Sequence, residues 1–290
     1  HKFAPESKAE SEAWITARLP KQMPNPAKFL TYTTRYGRYD WLLIDGLERH
    51  YDRAEVEASR EGNTAKLTTS NVTRLVFNTP LTVTIDGESL GSNIRAAEKH
   101  DGKWKKADLT PKTLRKRHGL QGPIDDAFLD RFLCVKGTGT ARDTTVHGAA
   151  MERLSVFQKN WDKFLRGDIP VKSDREITPN DAKQHNLILF GDPGSNSLMA
   201  KAISRMPVKW ERGAISVGTN NFKGDGLMLV AIYPNPSAPD HYVVLNSGHT
   251  FDAAALKGTN ALLFPRLGDW AVLDATGKVL GAGFFDENWK

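Results

Sequence analysis

Short segments rich in β-branched and aromatic residues follow one another early in the chain. They are Lys28–Thr34, Tyr39–Ile44, Arg53–Arg60, Thr64–Ser70, Val72–Phe77 and Leu81–Ile85. Several alternate in polarity, with Ala54, Val56 and Ala58 set against Glu55, Glu57 and Ser59. A period of two sends alternate side chains to opposite faces of a strand. Gly62-Asn63 and Asp86-Gly87 fall between segments and supply the residues that tight turns need. The pattern predicts an antiparallel β-sandwich over residues 27–106, with Asp101–Lys106 as its last strand.

From Arg131 the period changes. Arg131–Lys136 is apolar and ends in Gly137-Thr138-Gly139-Thr140. Val146–Leu165 then places Met151, Leu154, Phe157, Trp161 and Leu165 on one helical face. Asn186–Phe190 is a second apolar run, closed by Gly191-Asp192-Pro193, and Ser197–Arg205 follows as a helix. Ala214–Val217, Leu227–Tyr233 and Tyr242–Leu245 predict further strands, and Ala271–Leu273 with Val279–Phe285 a closing hairpin. Buried strands alternating with amphipathic helices predict an α/β domain over 129–290, with a mainly parallel sheet of flavodoxin-like kind. Residues 107–128 read as a basic connector, in which Asp125 and Asp126 cap a short turn. Pro5–Leu19 reads as a helix of its own.

Composition narrows the function classes. No apolar run is long enough to cross a bilayer as a helix, so no membrane partner is expected. Cys134 is the only cysteine, which excludes a disulfide framework and a cysteine-based zinc site within one chain. It sits in an apolar strand and reads as a structural thiol. The net charge of +6 is local. Lys99, Lys103, Lys105, Lys106, Lys112, Arg115, Lys116 and Arg117 face only Asp101 and Asp108, and the remaining residues are neutral overall. This stretch, 99–117, is either a solvated connector or a docking strip for an anionic polymer. Nucleic acid is disfavoured, because no motif accompanies the charge and only Trp104 offers a stacking ring.

Ligands of open α/β sheets bind beyond the carboxyl ends of the strands. Three loops share that position: 137–140, 191–196 and 246–250. They bring together Thr138, Thr140, Asp192, Ser195, Asn196, Ser247 and His249, with helix N-termini suited to an anion. One expectation is an autonomous ligand-binding or hydrolytic site. In it His249 is the base, Asp192 orients it, and Ser195 or Ser247 is the nucleophile. The other is that these residues cap helices and stitch the loops together. The chain has no G-x-S-x-G elbow, no P-loop and no full dinucleotide fingerprint. Its histidines lack metal-ligand spacing, so neither a metal nor another cofactor is expected. Asn71-Val72-Thr73 matches a glycosylation sequon but lies within the strand pattern.

Several phrases occur together: His1-Lys2-Phe3 before a helix, Arg35-Tyr36 leading into Tyr39–Glu48, Gly122–Phe128, Leu189–Asp192 with Ser195-Asn196, and Tyr242–Phe251. In this order they resemble the C-terminal half of large bacterial prolyl-oligopeptidase-like serine hydrolases, multidomain α/β-hydrolase proteins of planctomycetes and related bacteria. The resemblance covers nearly all of the chain. It implies a secreted or periplasmic protein with a peptide or ester substrate, in which an α/β-hydrolase domain lies upstream. Residues 1–26 would then hold the last helix of that domain, and His1 would be the catalytic base of its triad. The nucleophile and the acidic member precede the histidine in that superfamily, so this chain would not be catalytically complete by itself.

Overall fold

The computed structural model describes residues 4–19, 24–249 and 267–290. Among them the chain is mixed α/β, with four α-helices and a larger share of strand arranged in several sheets. It divides into two units, His1–Pro111 and Lys112–Lys290.

The first unit opens with helix α1 (Pro5–Arg18), none of whose residues is buried. Eight strands follow: β1 (Ala27–Thr31), β2 (Arg38–Tyr39), β3 (Leu42–Leu47), β4 (Ala54–Glu61), β5 (Thr64–Ser70), β6 (Val72–Ile85), β7 (Glu88–His100) and β8 (Lys103–Lys106). The alternation in β4 is realised, with Ala54, Val56 and Ala58 buried. Gly62-Asn63 closes the β4–β5 hairpin, and Gly62 takes the positive φ that such a turn requires. The two apolar runs on either side of Asn78–Pro80 belong to one strand, β6. Its first half pairs with β3, and its second half pairs with β5. The β5–β6 pairing is parallel, which corrects the expectation of a wholly antiparallel arrangement. Leu75, Phe77, Leu81, Val83 and Ile85 of β6 run through the core of this unit, against Val56, Leu67, Ile44 and Leu47. Buried Arg74 bonds Asp45 at 2.9 Å and Glu98 at 3.1 Å, and donates to the carbonyls of Asp108 and Leu109.

The second unit contains a 3-10 turn at Ile124–Phe128 and strand β9 (Phe132–Lys136), helix α2 (Thr144–Leu165) and strand β10 (Val171–Ser173). Helix α3 (Pro179–Gln184), β11 (Asn186–Phe190) and α4 (Ser197–Ile203) come next. A small three-stranded sheet, β12 (Val208–Glu211), β13 (Ala214–Val217) and β14 (Asn220–Lys223), precedes β15 (Met228–Asn235), β16 (Ala238–Leu245), β17 (Trp270–Leu273) and β18 (Val279–Gly283). The main sheet has the order β10-β9-β11-β16-β15-β17-β18. It is parallel from β10 to β16 and antiparallel from β16 to β18, so the expectation of a mainly parallel sheet is corrected to a mixed one. The antiparallel half follows from the short β15–β16 and β17–β18 connections, since parallel neighbours need a long crossover.

Helix α2 buries Val146, Ala150, Leu154 and Phe157 against this sheet, while Leu165, predicted on the same face, is exposed at its end. The expected basic connector is only partly solvated. Lys116 is buried and paired with Asp269 at 2.6 Å, beneath the Trp289 ring. Leu120, Ile124, Ala127 and Phe128 belong to the core of the second unit. Trp104, the predicted stacking ring, is buried and donates its Nε1–H to Asp86 at 2.8 Å. Asn71 is spent on the backbone of Arg49 and Asp52.

Candidate functional site

The chain leaves β9 for β10 on one side and returns across it to β11 on the other. That reversal is where open α/β sheets form a ligand crevice, between the carboxyl ends of β9 and β11. The predicted loops do converge there. Gly137 N–H donates to the Phe190 carbonyl, Gly139 N–H to that of Ser195, and Asn246 N–H to that of Leu189. The approach is close. A Cβ on Gly137 or Gly139 would stand 2.7 Å from the Ser195 or Gly194 carbonyl oxygen, and one on Gly194 would stand 2.6 Å from that of Thr140.

The polar side chains of these loops serve the loops themselves. Asp192 accepts from the N–H groups of Asp143 (2.9 Å), Gly194 (2.9 Å) and Ser195 (2.7 Å). Ser195 is fully buried, and its hydroxyl accepts from the Asp192 N–H at 2.9 Å. Asn196 caps α4 through the N–H groups of Leu198 and Met199 and donates to the carbonyls of Val135 and Phe190. Asn246 closes a reciprocal pair with Gly191 and reaches the Leu229 carbonyl. Ser247 donates to the Gly248 carbonyl. The Thr140 residue is exposed.

Two of the helix N-termini expected to receive an anion, those of α2 and α4, already hold protein carboxylates, and the one expected after 246–250 lies outside the described residues. Asp143 caps α2 by accepting from Thr145 and Val146 N–H. Asp174, just after β10, receives the N–H and hydroxyl of Thr138 on one oxygen and those of Ser197, the first residue of α4, on the other. Burial on its own would raise the Asp174 pKa; the Ser197 and Thr138 hydrogen bonds outweigh it and hold the carboxyl below its ordinary value. The sequence pattern did not single out Asp174, because β10 is too short to register as a strand. The signal available was Ser173-Asp174 directly after an apolar pair at Ile169 and Val171.

Among the described residues, Asp192 accepts from three backbone N–H groups and forms no hydrogen bond with a histidine. The carboxylate near His249 is Asp125, at 4.0 Å on the 3-10 turn, and Phe128 meets its ring edge-on at 5.8 Å. Burial holds its pKa below the ordinary histidine value, with Asp125 opposing that shift. Ser195 and Ser247 each spend their hydroxyl on the backbone next to them. The described residues therefore do not assemble the expected nucleophile, base and orienting acid. His1 and Thr250 lie outside the described residues. Beside Asp143 and Asp192 the loops leave a cavity of about 10 Å³, room for one water at most.

Comparison with family models, with curated proteins and with solved structures finds no match to this chain. Cys134, the one thiol, is fully buried in β9, and burial pushes its pKa up, away from thiolate chemistry.

Proposed function

We propose that the chain is an accessory region of a prolyl-oligopeptidase-like serine hydrolase, without a complete catalytic set of its own. The observation that carries the second half of this statement is the commitment of Asp192, Ser195, Asn196 and Ser247 to backbone partners. The first half rests on the phrase-like segments of the sequence. In this reading the catalytic domain lies upstream, its substrate is a peptide or ester, and the protein is secreted or periplasmic. His1 supplies the base of a triad whose other members that domain contributes. The change of partners along β6 supports a sandwich-like first unit. The order β10-β9-β11-β16 supports a flavodoxin-like second one. Both units then act by flanking the catalytic domain and helping to place substrate.

A fluorophosphonate probe, which reacts with activated serines, tests the absence of catalysis. The isolated chain is expected to remain unlabelled; labelling that disappears in Ser195→Ala or Ser247→Ala would overturn the proposal. The residues encoded before His1 test the partner. A G-x-S-x-G segment within an α/β-hydrolase pattern is expected there, and its absence would remove the hydrolase reading.

A further inference from the structure

We propose that the first unit carries a binding site for a small zwitterion of amino-acid size, in the cavity walled by the β2–β3 turn and the end of β4. The site lies within one unit and is independent of the accessory role proposed above. The cavity measures about 380 Å³, within the ordinary range of small-ligand pockets. The small side chains of Ala27 and Ala58 leave the space, and Tyr39 and Trp41 give it aromatic walls. Tyr39 stacks on Phe29 at 5.4 Å and Trp41 on Phe77 at 6.0 Å, so each ring is backed by another.

Asp40 and Arg60 line this cavity, and among the described residues no ion pair joins them to each other or to any third group. Arg60 is a fixed guanidinium. Its backbone N–H and carbonyl are held by the Asn25 amide at 3.0 and 2.9 Å. Its Nε donates to the Gly62 carbonyl at 2.9 Å and its Nη2 to the Thr79 hydroxyl at 3.3 Å, over the Trp41 ring at 5.5 Å. Its Nη1 has no hydrogen-bond partner among the described residues and is not sealed from solvent, so a ligand can reach it. A guanidinium held in this way offers its remaining N–H groups with little further loss of rotamer freedom. Asp40 occupies the two-residue β2–β3 turn at φ +45°, in the left-handed region that aspartate tolerates. Turn aspartates commonly spend the carboxylate on nearby N–H groups, as Asp274 does with Thr276 and Lys278. The Asp40 carboxylate makes no such bond among the described residues, and the residue is exposed. An ammonium fits Asp40, a carboxylate fits the open edge of Arg60, and an apolar body fits the aromatic walls. A simple anion or cation would leave one of the two charges unanswered, and a neutral sugar would leave both.

Titration of the full chain with L-phenylalanine, followed by NMR of the Trp41 indole N–H and by calorimetry, tests this. Phenylpropanoate and phenylethylamine, each lacking one charge, and methyl glucoside, lacking both, are the controls. Saturable millimolar binding of L-phenylalanine is expected, about tenfold tighter than that of either singly charged control. Asp40→Asn keeps the turn, because asparagine tolerates the same backbone, and is expected to weaken L-phenylalanine to the level of phenylpropanoate while leaving phenylpropanoate unchanged. Arg60→Lys keeps the charge but loses the fork, and is expected to weaken both carboxylates. Absence of saturable L-phenylalanine binding would overturn the proposal. So would equal binding of the singly charged controls, which would mark an aromatic cleft without charge selection, tighter binding of methyl glucoside, or an L-phenylalanine affinity unchanged in Asp40→Asn.

Discussion

Asp174 holds four hydrogen bonds on two oxygens, and its negative charge is what makes each of them strong. Its place at the first turn of α4 adds a favourable interaction with the helix dipole. Asp174→Asn keeps the shape but gives up the charge and turns one acceptor into a donor facing N–H groups. The expected cost at neutral pH is about 1–3 kcal/mol, read from denaturant unfolding. The folded-state pKa is depressed, so this stability is fully present above the ordinary carboxyl value and is lost as pH falls through the folded one. The difference between variant and parent should therefore shrink toward zero in acid; a difference that stays constant there would show that the charge is not its source. His249 runs the other way. Its depressed pKa means that the unfolded chain takes up a proton first as pH falls below about 6.5. Stability is expected to decline in that window, and His249→Gln to flatten the decline. Asp125→Asn should lower the His249 pKa further in an NMR titration, because Asp125 is the group that raises it.

At the scale of elements, the interlocked loops behave as packed core. Gly137→Ala drives a methyl to 2.7 Å from the Ser195 carbonyl, where only backbone can yield. A loss of about 1–3 kcal/mol is expected. Gly148, on the exposed face of α2, meets nothing, so Gly148→Ala should stabilise by about 0.5–1 kcal/mol through helix propensity alone. Thermal melts of the two variants should move in opposite directions; equal behaviour would mean that the loops are not packed as described. The elements legible from sequence were those with undisturbed periods: β4, β9, β11 and the apolar face of α2. Strand β7 was not legible, because Gly91 and Asn93 take positive φ, bulges interrupt its register with β6 between Ser89 and Ala96, and both Ala96 and Ala97 are buried, which destroys the alternation. Joining the two halves of β6 across Asn78–Pro80 was hidden for a similar reason, since those residues face solvent and read as a turn. At the candidate site, the convergence of the three loops could be inferred from strand ends. That Asp174 would fill the N-terminus of α4 could not, because it depends on contacts with Thr138 and Ser197, far away in sequence; the Asp143 cap of α2 is local.

At the scale of the whole chain, each unit has its own hydrophobic cluster and its own buried cation. Arg74 ties residues 108–109 into the first unit, and Lys116 ties the next few residues into the second through Asp269. The basic run is thus divided between the two units: Lys116 is buried in the second, while Lys103, Lys105, Lys106 and Lys112 remain exposed. A buried pair broken from one side leaves the partner charge without compensation, at a cost of about 3–5 kcal/mol. Lys116→Met preserves much of the aliphatic volume while removing the ammonium from Asp269. Hydrogen exchange under increasing denaturant should then show β9, β11, β15 and β16 opening at lower concentration than in the parent, with β3, β4 and β6 unchanged. Arg74→Met should produce the mirror image. The second unit should also fold when residues 112–290 are expressed without the first, because Lys116 and Arg117 pair with Asp269 and Asp240 and Leu120 and Ile124 lie in its core. If either substitution instead shifted both sets of strands together, the two units would be one cooperative body, and the charges that mark their boundary would have to be understood as holding the whole chain.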